Sequence, residues 1–137
     1  MPSTVQKKPR QQTPPSVQLL SCAPHVVLTH LGDKWTILVV LLLARAPENR
    51  LRFSEIKRGV QGISQRMLTL TLRMLERNGL VLRHYYSEVP PRVEYELSAM
   101  GKSMLYPLEV FTGWIGENWQ AMQQARERYD AREDRTP

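Results

Sequence analysis

"GISQRMLTLTLRMLERNGL", residues 62–80, reads as one amphipathic helix between two breaks. Ser64 is suited to the N-cap position, because its hydroxyl can accept an otherwise orphaned backbone N–H. Asn78-Gly79 is suited to end the helix, since a C-terminal cap favours residues that tolerate positive φ. On a helical wheel Gln65, Arg66, Thr69, Arg73, Glu76 and Arg77 fill one continuous arc. Met67, Leu68, Leu70, Leu72, Met74 and Leu75 fill the rest, with Ser64 and Thr71 among them. The apolar arc is wide enough to bury most of the helix and leave a single strip free. A solvated face normally mixes Lys with Glu in supporting i,i+4 pairs, yet this strip has one acid, Glu76.

Around this helix the elements follow in a diagnostic order. Pro24 opens a short helix that runs to Leu31, and Gly32-Asp33 separates it from a second helix over 34–46. "APENR" (46–50) is a turn, and "LRF" (51–53) is a single short bridge. Ser54 is expected to cap a third helix, "EIKRGV" (55–60), before the break at Gly62-Ile63. After Gly79 the apolar period falls from 3.6 to 2. Val81, Arg83 and Tyr85 alternate with their neighbours, and so do Val93, Tyr95 and Leu97. "SEVPPR" (87–92) joins the two runs, and its two prolines forbid strand there, so the pair is a hairpin with a stiff tip. A last long helix starts near Ser98, with Pro107 expected to kink it. Two short helices around a Gly-containing turn, followed by a hairpin, describe a winged helix-turn-helix: mainly α, with a small β wing.

Charge is concentrated in this unit. Residues 50–92 hold nine basic side chains against three acids, and that surplus of six equals the net charge of the 137-residue chain. Gln, Arg and Thr are the side chains that recognise adenine, guanine and the thymine methyl in a major groove. The first turns of a recognition helix go deepest, so Ser64, Gln65, Arg66 and Thr69 are the candidate base readers. Lys57, Arg58, Arg73 and Arg92 of the wing are candidate backbone contacts. Double-stranded DNA is the partner this pattern fits. The competing reading keeps the fold and drops the DNA: a winged-helix protein-interaction module whose basic strip meets an acidic partner or solvent.

The last helix spaces Met104, Leu108, Phe111, Ile115, Trp119 and Met122 by three and four residues, and Val110 and Trp114 widen that stripe. So much apolar surface on a terminal helix calls for a second body. A homodimer with Leu108, Phe111, Ile115 and Trp119 in its interface is expected, binding half-sites about one helical turn apart. Residues 1–18, rich in Pro, Gln and Lys, are expected to form a flexible basic arm. Residues 19–124 then form the domain, and 125–137 a charged tail.

Other chemistry finds little support. The chain has one cysteine, Cys22, which rules out an internal disulfide framework and a multi-cysteine zinc site. Cys22 with His25 three residues on is a candidate thiol sensor for a small electrophile or oxidant, since a helix N-terminus and an imidazolium favour thiolate. The plainer reading is a small packed hydrophobe. Cys22, His25 and His30 lack a metal-ligand spacing, and neither a catalytic constellation nor a Gly-rich phosphate loop is present, so no metal, cofactor or enzymatic activity is expected. The longest apolar run, Trp35 to Ala44, is too short for a bilayer of ~30 Å, so no membrane partner is expected, and the N-terminus lacks a secretory h-region. The expected location is the cytoplasm.

Three blocks carry a family resemblance: "GDKWTILVVLLL" (32–43), "LRFSEIKRGVQGISQRMLTLTLRMLERNGLVLRHYY" (51–86) and "VPPRVEYELSAMGKSM" (89–104). Together they resemble the HxlR-type winged helix-turn-helix regulators of bacteria, over roughly residues 21–119. The resemblance implies a homodimeric transcription factor, a repressor in this reading, with the helix from Ser64 to Asn78 in the major groove and the wing tip, Pro90, Pro91 and Arg92, against backbone or minor groove. It also implies a cysteine-based response in some members. Departures are the long "ARAPENRLRF" (44–53), Asn78 in place of the commoner Asp, and "SAMG" (98–101) where "LTxLG" is usual.

Overall fold

The computed structural model describes residues 25–135, and the chain divides at Asp33 into two units. The first contains α1 (His25–Leu31), closed by a 2.7 Å bond from the Gly32 N–H to the Leu28 carbonyl. Cys22 and Pro24 lie outside the described residues.

The second unit begins with α2 (Lys34–Arg45), one residue shorter than its apolar pattern predicts. Its C-terminal carbonyls are held by Asn49, whose Nδ2 donates to Leu43 and Ala44 oxygens at 3.3 and 3.0 Å. A 3₁₀ turn at Pro47–Asn49 leads into β1 (Arg50–Arg52). Then come α3 (Phe53–Gly59), α4 (Gln65–Arg77), β2 (Val81–Tyr86) and β3 (Arg92–Leu97). Short α5 (Ala99–Ser103) and long α6 (Leu105–Glu133) complete the unit.

The expected bridge at 51–53 is a full edge strand. β1 pairs antiparallel with β3, Leu51 opposite Tyr95, so the sheet has three strands in the order β1-β3-β2. Ser54 is not the cap of α3. The helix starts two residues earlier, at Phe53, and the Glu55 carboxylate reaches back to the Arg52 N–H at 2.9 Å. Glu at the third helical position thus satisfies the N–H of the cap residue, the carboxylate half of a capping box.

The last helix is two helices. Ser98 caps α5 through Gly101 N–H at 3.0 Å, and its hydroxyl also donates to the Gly79 carbonyl at 2.6 Å. The break falls at Met104, three residues before Pro107. Proline has no N–H for the carbonyl four residues back and crowds it, so α6 restarts with Pro107 in its first turn, where no donor is needed. From there α6 continues without interruption to Glu133, through most of the expected tail.

The core draws on every layer of this unit: Val39, Val40 and Leu43 of α2, Ile56 of α3, Leu68, Leu72 and Leu75 of α4, Val81, Tyr95 and Leu97 of the sheet, and Leu108 of α6. Each fully buried leucine contributes about 1.5–3 kcal/mol of transfer free energy, so the three on α4 fix the angle of that helix firmly. At two glycines the backbone leaves no alternative. Gly62, in the turn between α3 and α4, has φ +87°. A Cβ at Gly101 would stand 2.1 Å from the Leu80 carbonyl oxygen, so α5 can seat against the connection between α4 and β2 only without a side chain.

Candidate nucleic-acid interface

The α3-turn-α4 pair presents its free surface as the wheel requires. Lys57, Arg58, Gln65, Arg66, Arg73 and Arg77 are exposed, and among the described residues none of them is in an ion pair. Two of the four candidate readers are partly committed to the helix itself. The Ser64 oxygen accepts the Met67 N–H at 3.0 Å, which leaves only its proton to offer. Thr69 donates its hydroxyl to the Gln65 carbonyl at 2.8 Å, which leaves its methyl and a lone pair. Gln65 and Arg66 keep their full hydrogen-bonding capacity.

The apolar arc of α4 is narrower than its sequence implies. Leu68, Thr71, Leu72 and Leu75 are buried, whereas Met67 and Leu70 are exposed and Met74 is half-buried. Measured from the centre of the buried set, the outward pole lies nearest Arg66 and Arg77, with Arg73 and Leu70 about 30° to either side.

The wing differs from expectation in its electrostatics. Its tip, Ser87 to Pro91, is exposed, as are Pro90 and Pro91 themselves. Arg92 is not the free cation expected at such a tip. Its guanidinium stacks 4.2 Å from the centre of the Tyr86 ring and lies 3.4 Å from the Glu88 carboxylate and 3.8 Å from that of Glu94. Arg50, on β1, donates from Nε to Glu94 at 2.9 Å and from Nη2 to the Tyr86 hydroxyl. Desolvation works against the Arg50 charge, but the Glu94 hydrogen bond and the nearby Tyr86 and Glu96 outweigh it, and its pKa is raised. His84 meets Glu96 at 2.9 Å on the same face. The surplus of six charges in residues 50–92 is therefore overstated: Glu94 and Glu96 lie just past that window and fold back onto it.

One basic residue outside the candidate set joins the site. Arg83 of β2 is exposed and lines a cleft of about 310 Å³ with Phe53, Thr69, Arg73, Glu76 and Tyr95. This brings two arginines, from the outer part of α4 and from the wing, to one cleft. The strand alternation carries the signal, since Arg83 sits opposite Tyr95 and so shares the sheet face turned toward α4.

A family model for HxlR-like helix-turn-helix proteins matches residues 30–123. The chain belongs to that family. An HTH-type transcriptional regulator of Methanothermobacter thermautotrophicus is 47% identical over 93 residues, covering 68% of this chain and 69% of its own. Among solved structures, the transcriptional regulator YtfH of Salmonella typhimurium superposes with a TM-score of 0.66 at 30% identity, over 82% of this chain and 91% of that one. The reduced form of the redox regulator HypR gives a TM-score of 0.65 at 33% identity, over 73% and 96%. This HxlR-like chain is thus a transcriptional regulator of the helix-turn-helix type, with a winged-helix fold. No helix among the described residues is long and apolar enough to cross a membrane. Among those residues no cluster of three or more His, Cys, Asp or Glu is placed to hold a metal.

Proposed function

We propose that this HxlR-like regulator is a sequence-specific repressor that binds a palindromic operator as a homodimer. The observation that carries the proposal is the exposed, unpaired strip of α4, seated by three buried leucines on a helix-turn-helix. Gln65 and Arg66 read base edges, with the Ser64 proton and the remaining Thr69 lone pair in support. Lys57 and Arg58 at the end of α3 hold phosphates, and so do Arg73 and Arg83 at the cleft. Pro90 and Pro91 give the wing a rigid tip against the backbone. Arg92 braces that tip through Tyr86 and Glu88, with its charge largely offset.

The second copy is proposed to lie along α6. Phe111, Ile115 and Trp119 are exposed by 53, 37 and 44%, with Val110 and Trp114 at 57 and 54% beside them. Leu108, expected in this interface, is instead buried in its own domain at 8% exposure. A Cβ at Gly113 or Gly116 would meet nothing within 4 Å, so a partner helix can approach closely there.

Replacing both Lys57 and Arg58 by alanine is expected to weaken every DNA sequence alike and to flatten the dependence of log K on log salt. The slope should fall by about 0.9 for each phosphate that a subunit no longer neutralises. An unchanged slope in fluorescence-anisotropy titrations would remove these residues from the phosphate-binding set.

The likeness to a redox regulator supports a second element, a thiol response through Cys22 aided by His25. Cys22→Ser is expected to keep DNA binding and lose its release by diamide or hypochlorite. Release that matches wild type would make Cys22 a structural residue.

A further inference from the structure

We propose that Leu70 is a specificity residue that reads the methyl group of a thymine in the operator. The inference rests on the DNA-binding reading above and names one base contact within it. A single exposed leucine is ordinary on a free protein surface, so the 47% exposure of Leu70 carries nothing alone. Its position does. Leu70 lies about 30° from the outward pole of α4, as close to it as Arg73. Arg66, Arg73 and Arg77 stand at i−4, i+3 and i+7, so they share its face, all three exposed. Met67, at i−3, flanks it with 38% exposure.

An apolar protein partner fits this border poorly, because covering Leu70 would also cover Arg66 and Arg73 at i−4 and i+3, strip them of water and offer them no counter-charge. A major groove fits both needs. Phosphates line its walls, and its floor presents a single kind of apolar group, the C5 methyl of thymine. The exposed leucine at the edge of the polar strip is then itself a reader.

The competing source of methyl recognition is Thr69, whose hydroxyl is tied to the Gln65 carbonyl and whose methyl is left over. The experiment separates them. An operator from the protein's own promoter is prepared with each thymine replaced in turn by deoxyuracil, which deletes only the methyl. Wild type is expected to lose about fourfold affinity at one position per half-site, the equivalent of one buried methyl group. Leu70→Ala should bind the natural operator about as weakly as wild type binds an operator substituted at that position in both half-sites, and should be indifferent to that substitution. Thr69→Ser should remain sensitive to it.

Indifference of wild type to every deoxyuracil overturns the proposal and leaves DNA binding intact. So does methyl sensitivity that survives in Leu70→Ala or vanishes in Thr69→Ser. Failure of wild type to bind any promoter fragment overturns both readings. The wild-type scan needs no variant, so misfolding of Leu70→Ala cannot shield the proposal.

Discussion

Arg66→Ala is expected to lower operator affinity by roughly 10- to 100-fold for each half-site, the worth of one bidentate arginine–guanine pair at ~1–3 kcal/mol. Affinity for random DNA should fall far less, by the loss of one general cation. The reason lies in where α4 leaves Arg66: next to the outward pole, exposed, in the first turn, with no acid to hold it back. Arg77 is equally outward but stands at the last turn, where a straight helix has left the groove floor. Arg77→Ala is therefore the control and should cost little on either DNA. Anisotropy titrations of both variants on operator and scrambled duplex check the contrast. An equal loss on both duplexes for Arg66→Ala would reduce it to a phosphate contact.

The second large effect is expected from α6. Trp114→Glu places a carboxylate in the centre of the exposed apolar surface of Val110, Phe111, Ile115 and Trp119. Burying an unpaired charge there is costly, so the dimer should dissociate and sediment as a monomer at micromolar concentration. Trp114 is 54% exposed and stands about 120° around the helix from Leu108, the α6 residue buried in the domain core, so each subunit should stay folded. Two linked half-site interactions exceed one by about 10²–10⁴-fold, and that avidity should vanish with the dimer. A variant that sediments as a dimer would move the interface off this face.

Signals that act through local backbone geometry are legible in the sequence. Ser64 and the Asn78-Gly79 stop are of this kind, set by neighbouring residues, and both stand where the pattern puts them. Pro107 is legible as a disturbance but not as a clean restart at Leu105, because the site of a break depends on which carbonyl can be released. Leu70 belongs to the buried side by its chemistry alone. A wheel ranks residues by type, whereas burial depends on which neighbours arrive, and none covers the arc beyond Met74.

Arg92 shows the same limit for charge. Counting along the chain cannot see that register brings Arg92 opposite Tyr86, or that Glu94 on the same strand reaches Arg50 on the adjacent one. Arg83 is one more basic residue in the linear sequence, with no place of its own. Its role emerges only when β2 lies beside α4 and the cleft with Arg73 closes around it. The fold follows from local signals, and the site depends on non-local pairing.

Discrimination between DNA sequences by the α4 strip is the property on which the proposed function stands or falls. It is read from the affinity of the wild-type protein for a fragment from upstream of its own gene against a scrambled fragment of equal length, at several salt concentrations. The native fragment is expected to bind at least about 10³-fold more tightly at physiological salt, with binding to both weakening steeply as salt rises. Equal affinity for the two fragments would contradict sequence-specific reading by this helix.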